Sequence, residues 1–345
     1  GAGDRGGWGD RRRRRSTGAV GPRVAILERA GPPGGLRGDP WLWSSARRPC
    51  DSPRPVLLAL LKTLRPRQWI KNLFVAIPLM FGHRLTDPDS LLTTAGAVAL
   101  FCLISGCVYV LNDLVDVEKD RAHPKKRMRP IPSGKLPEAV ARRFVVAAVP
   151  VCLAVAYWLE PWFAATLAGY FALNLAYSFR LKQIAYVDVL SIAMGFILRV
   201  LAGAFALQVP ASLWLLAVTG LMAMFMGFGK RAHELAAGET ATKQRQALAG
   251  YDLATLRVAL YVLAVTTVGV YAAYTLSDHV VELFGSNRLV YTVGFGAVGV
   301  LRFIHLATTR HDAESPTEEM LKDPLFMLNF LAWVGLLAAI LYGWV

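Results

Sequence analysis

The sequence predicts an all-α polytopic membrane protein, a bundle of nine transmembrane helices with its N-terminus in the cytoplasm. Three observations carry that expectation. Hydrophobic residues fill 54% of the 345 positions and mean hydropathy is positive, which is too apolar for an ordinary soluble domain. Nine windows stay apolar over roughly the 20 residues that a bilayer core requires. The cations, finally, collect in alternate connections between those windows.

Residues 1–52 are rich in Gly, Pro and Arg, include the run Arg11 to Arg15 and show no apolar period, so they are expected to form a disordered basic extension. Residues 53–345 are expected to form the membrane domain. A short apolar stretch, Val56 to Leu64, should lie along the interface before Arg65-Pro66-Arg67-Gln68-Trp69-Ile70-Lys71-Asn72 opens the first span. The spans are expected at about 68–84, 90–111, 139–158, 161–178, 187–207, 211–229, 254–277, 289–307 and 324–344.

With the N-terminus inside, the cytoplasmic connections hold Lys119 to Arg143, Arg180 and Lys182, Lys230 to Arg257, and Arg302 to Lys322. The opposite connections hold Arg84 and Arg288. The formal charge of +14 is therefore mostly topology; nucleic acid is not an expected partner, whereas membrane phospholipid is. Long cytoplasmic connections, at 113–138, 179–186 and 230–252, should cap a site that faces the cytoplasm of a multi-pass plasma-membrane protein. Cys102, Cys107 and Cys152 fall inside apolar segments, and with Cys50 they suggest neither a disulfide framework nor a zinc site.

Charges at helix ends point to the chemistry. Asp113, Asp116 and Asp120 are spaced i, i+3, i+7, so on one continuous helix their carboxylates share a face. A helix C-terminus disfavours acids, and a cation would explain them; Mg2+ takes a few carboxylate oxygens and completes its shell with water and phosphate. A mixed-charge solvated loop is the competing explanation. A second cluster, Tyr177-Ser178-Phe179-Arg180-Leu181-Lys182, runs on to Asp188, and Asp188 and Arg199 stand about three turns apart within the fifth span. Charges in a span are costly and are expected to face the bundle interior. The third cluster is Gly229-Lys230-Arg231-Ala232-His233-Glu234. One acidic and two basic clusters on one membrane face suit a magnesium-phosphate substrate. No P-loop, nucleophile elbow or dinucleotide fingerprint is present.

Asn112-Asp113-x-x-Asp116-x-x-x-Asp120 after the second span resembles the first signature of the UbiA membrane prenyltransferase superfamily, and Tyr177 to Lys182 resembles its tyrosine-lysine element. The resemblance implies a helical bundle around a central cavity, with a Mg2+-diphosphate site. Members that condense prenyl diphosphate with an aromatic acceptor carry a second aspartate-rich motif after the sixth span. This chain has Lys230, Arg231, Glu234 and Glu239 there instead.

That departure, with Arg65 to Asn72, Asp116 to Pro124, Lys126 to Ile131, Gly229 to Glu234 and Ser315 to Pro324, resembles the branch that moves phosphoribosyl onto decaprenyl phosphate for cell-wall arabinan. The resemblance implies phosphoribosyl diphosphate and a polyprenyl phosphate lipid as substrates. Asn112, Asp113, Asp116 and Asp120 would hold Mg2+; Lys182, Lys230 and Arg231, with Arg127 and Arg129, would bind phosphates, and Lys71 and Glu234 complete the implied substrate-binding set. Tyr177 would lie near the ribose, and Asp188 would orient Lys182 or a ribose hydroxyl. Asp113, Asp116, Asp120, Lys182 and Tyr177 form the implied catalytic set. An aromatic prenyltransferase and a transporter with Asp188 and Arg199 on an ion path are the alternatives, and self-association into a homo-oligomer stays open.

Overall fold

A computed structural model describes residues 53–236, 246–284, 287–309 and 316–344. The expected disorder of 1–52 lies outside the described residues, as does 237–245 of the expected third cap. The described residues form helices and turns with no strand.

Helix α1 (Pro53–Thr63) ends at Arg65, whose left-handed backbone (φ 54°, ψ 64°) precedes Pro66. A proline disfavours a helical residue before it, which separates α1 from the first expected span. That span is not one α-helix. Pro66–Ala76 is a 3-10 helix and Ile77–Phe81 is the short α2, with Pro78 in its first turn, where the missing N–H leaves no hydrogen bond broken. The longer 3-10 rise stretches these two pieces to about 30 Å. A Cβ built on Gly203 would stand 1.9 Å from the Val75 carbonyl oxygen, so this segment lies directly on the backbone of a later helix.

The long elements follow: α3 (Pro88–Val115), the short α4 (Val117–Ala122), α5 (Glu138–Leu159), α6 (Pro161–Phe179), α7 (Val187–Ala206) and α8 (Leu213–Ala236). After them come α9 (Leu253–Thr275), α10 (Asp278–Phe284), α11 (Thr292–Thr309), α12 (Pro316–Lys322) and α13 (Pro324–Leu341). Among the described residues seven helices are long and apolar enough to cross a membrane: α3, α5, α7, α8, α9, α13 and the stretch Arg288–Thr309. Residues 161–178, also expected as a span, lie in the helical α6.

Caps fix several starts. Asp87 accepts from Ser90 N–H at 3.3 Å, Asp252 from Thr255 N–H at 2.8 Å, and Asp323 from Phe326 N–H at 2.8 Å. Val75, Phe101, Phe163 and Leu167 join the first segment to α3 and α6, while Phe225, Leu260 and Phe303 join α8, α9 and α11. Val146, Val265 and Leu328 remain exposed, as lipid-facing residues do. The Leu85 N–H donates to the Tyr342 hydroxyl at 3.1 Å, so the loop before α3 and the end of α13 share one end of the bundle.

Candidate active site at one end of the bundle

Helix α3 stops at Val115, Asp116 forms the joint (φ −94°, ψ 12°), and α4 begins at Val117. Asp113, 2% exposed, accepts from Arg65 Nη2 at 2.6 Å and Arg129 Nη1 at 3.1 Å. The same Arg129 Nη1 donates to the buried Asp120 at 2.6 Å. Two carboxylates removed from water are thus matched by two guanidinium groups rather than turned toward an open face. Asp113 and Asp120 thus converge on Arg129, as carboxylates on a shared face can, whereas Asp116 has a different partner.

Asp116 is 30% exposed, and Lys182 Nζ lies 3.6 Å from its Oδ2. This contact ties the end of α3 to the α6–α7 connection. Asn112, one turn before Asp116, is half-buried, and its carbonyl accepts the Asp116 N–H at 3.0 Å. Among the described residues no group of three or more His, Cys, Asp or Glu side chains is arranged to hold a metal ion. The amide of Asn112 and the carboxylate of Asp116 are donor types that fit Mg2+, a cation that completes its shell with water and substrate phosphates.

The second and third clusters meet around Asp188, which is 0% exposed. Its Oδ2 accepts from Arg231 Nε at 2.8 Å, and its Oδ1 from the Tyr251 hydroxyl at 2.5 Å and Val189 N–H at 2.9 Å. Arg231 also pairs with Glu234, whose other oxygen lies 4.0 Å from Lys230 Nζ. Asp188 engages Arg231 and Tyr251, while Lys182 approaches Asp116. Tyr177 is half-buried close enough to act electrostatically on Arg231, Arg127 is exposed, and Lys71 is exposed on the first segment.

The turn before Asp188 is unusual. Val187 N–H donates to Ala185 C=O at 2.8 Å around Tyr186 (φ 66°, ψ −44°), the rare γ-turn with positive φ. Tyr186 N–H donates to the Tyr251 hydroxyl at 2.7 Å. Burial, and then the hydrogen bond to Asp188, push the Tyr251 phenol well above its ordinary range. It stays protonated and serves as the donor.

Arg199 is engaged elsewhere. Its Nε donates to Asn72 Oδ1 at 3.0 Å, Nη1 to Gly195 C=O at 2.9 Å and Nη2 to the Tyr170 hydroxyl at 2.8 Å. Tyr170, Phe196 and Phe101 surround the guanidinium at 4.7, 5.2 and 5.6 Å. Asp188 and Arg199 share an interior location but belong to separate networks. Sequence reasoning left Arg65 and Tyr251 out of the site. Arg65 carried a signal in its place beside Pro66 and Trp69, whereas nothing local marks Tyr251, 63 residues from Asp188.

Comparison with known proteins agrees with this architecture. The model of the UbiA prenyltransferase family matches residues 73–330. A decaprenyl-phosphate phosphoribosyltransferase of Mycolicibacterium smegmatis is 35% identical over 301 residues, covering 84% of this chain and 94% of that protein. One of the same description from Corynebacterium glutamicum is 32% identical over 297 residues, covering 84% and 89%. A solved UbiA homologue from Archaeoglobus fulgidus, bound to DMAPP and Mg2+, superposes with a TM-score of 0.63 at 18% identity, covering 82% of this chain and 99% of that one.

Proposed function

Because the chain belongs to the UbiA prenyltransferase family, we propose that it transfers 5-phosphoribosyl from 5-phosphoribosyl 1-diphosphate to decaprenyl phosphate, releasing diphosphate. The observation that carries this reading is the likeness to curated phosphoribosyltransferases across 84% of the chain. The α8 end supports it: Glu234 is engaged by Arg231 and approached by Lys230, so this region offers cations and a neutralised acid rather than a pair of carboxylates for a second metal.

The nucleophile is a lipid phosphate monoester, already anionic near neutral pH, so no side chain has to remove a proton. Its oxygen attacks ribose C1 while the bond from C1 to the diphosphate oxygen breaks, and the charge passes to the departing diphosphate. Lys182 and Lys230, partly exposed at the site, neutralise that charge, and Arg65 and Arg129 add positive potential beside them. Tyr177 is the candidate neighbour of the ribose. Asn112 and Asp116 would hold Mg2+, which neutralises phosphate charge when bound.

We further propose nine crossings, with the N-terminus and the site on the cytoplasmic face of the plasma membrane. The alternation of basic connections supports this orientation. So do the roughly 30 Å reach of the first segment and the Leu85–Tyr342 hydrogen bond, which suits eight traverses after Leu85, α6 included. The deciding experiment incubates the purified protein with labelled phosphoribosyl diphosphate and decaprenyl phosphate, and in parallel with prenyl diphosphate and 4-hydroxybenzoate. Labelled lipid should form in the first pair. Product in the second pair alone overturns the reading.

A further inference from the structure

Tyr251 stands outside the charged clusters, and the reaction above makes no use of it. Its hydroxyl nevertheless ties the start of α9 to the turn that leads into α7. It accepts the Tyr186 N–H at 2.7 Å and donates to Asp188 Oδ1 at 2.5 Å, while its ring packs on Tyr186 with centroids 4.7 Å apart and meets Phe228 edge-on at 6.3 Å. From Asp188 the contacts continue to Arg231 Nε at 2.8 Å, from Arg231 to Glu234, and from Glu234 to Lys230 Nζ at 4.0 Å.

Two features of this line need an anchor. Tyr186 holds a strained backbone, and such strain persists only where neighbours over-determine it. Its N–H finds its acceptor in the phenol oxygen. Asp188 is a fully buried carboxylate, and its orientation decides where the Arg231 fork points. The phenol is the one group that touches both the turn and the carboxylate among the hydrogen bonds described above.

Resting on the reading of this end as a diphosphate site, we propose that Tyr251 is a positioning residue that sets Asp188, and through Arg231 and Glu234 the Lys230 ammonium, for substrate phosphate. It acts without touching the reacting atoms. The hydroxyl, rather than the ring, does the positioning, because the ring contacts are with aromatic neighbours and the polar line begins at the oxygen.

The test is Tyr251→Phe in the full chain in nanodiscs, which keeps the ring and removes the hydroxyl. Expected are a KM for phosphoribosyl diphosphate raised about tenfold, a kcat changed by less than about twofold, a modestly lower unfolding temperature with the protein still folded at the assay temperature, and faster hydrogen exchange at the Tyr186 amide. Unchanged KM and kcat with faster exchange would leave a structural contact and overturn the proposal; a raised KM with unchanged exchange would overturn the route through the turn. If the unaltered protein turns over only prenyl diphosphate with 4-hydroxybenzoate, the assigned donor fails, and the same KM and exchange comparison with that pair still decides the role of Tyr251.

Discussion

Asp113 and Asp116 are three positions apart and have different surroundings. The first is buried between Arg65 and Arg129, and the second is partly exposed beside Lys182. Asp116→Ala should lower kcat/KM for phosphoribosyl transfer by about a hundredfold or more, with a matching rise in the Mg2+ needed for half-maximal rate. Asp113→Asn should instead lower stability by about 1–3 kcal/mol in thermal unfolding, because it weakens the match to two guanidinium groups, and leave the Mg2+ requirement unchanged. Asp252, which caps α9, contributes to the pH response. The Thr255 backbone N–H and hydroxyl hold the Asp252 carboxyl below its ordinary range. A depressed folded-state pKa contributes stability that is complete above the unfolded value, near pH 4, and is lost as pH falls through the folded one. Unfolding temperature measured from neutral pH into acid should therefore fall less steeply in Asp252→Asn than in the unaltered protein.

At the scale of elements, the first segment and α7 depend on close approach. Gly203 lies where a Cβ would meet the Val75 carbonyl oxygen at 1.9 Å and its carbon at 2.8 Å, and backbone cannot swing aside as a side chain can. Gly203→Ala should cost about 1–3 kcal/mol or more, read as a lower unfolding temperature in detergent. Small residues at helix contacts are how membrane bundles gain packing, since lipid is as apolar as the helices themselves. Arg199 ties the same elements with polar contacts, through Asn72 on the first segment and Tyr170 on α6. Arg199→Met should lower stability by about 1–2 kcal/mol. It should leave the donor KM unchanged, because eleven residues place it about 16 Å along α7 from Asp188. A large KM change in the labelled-donor assay would show that the two networks are coupled.

For the whole molecule, the two ends of the bundle differ in chemistry. Single cysteines placed at Lys126 and Gln208, in a chain freed of its own thiols, should react with an impermeant reagent from opposite sides of sealed membranes, Lys126 from the cytoplasmic side. Labelling of both from one side would remove the nine-crossing topology. Much of this scale was legible in the sequence: hydropathy gave the helices, the alternation of cations gave an expected orientation, and Asp113, Asp116, Lys182 and Lys230 pointed to the end of the bundle proposed as the site. Hydropathy averages over a window and charge sorts over a whole connection, so such features depend little on exact geometry. The first segment was less legible, since its 3-10 winding follows from two prolines and from contact with Gly203, a residue about 130 positions away. Which carboxylate is buried against arginines and which stays partly exposed was decided by the tertiary structure alone. The helix is interrupted at Asp116, Arg65 and Arg129 arrive from other elements to match Asp113 and Asp120, and Tyr251 reaches Asp188 across 63 residues. A buried charge takes whatever partner the fold brings within hydrogen-bond reach, and spacing along one helix cannot specify a partner on another.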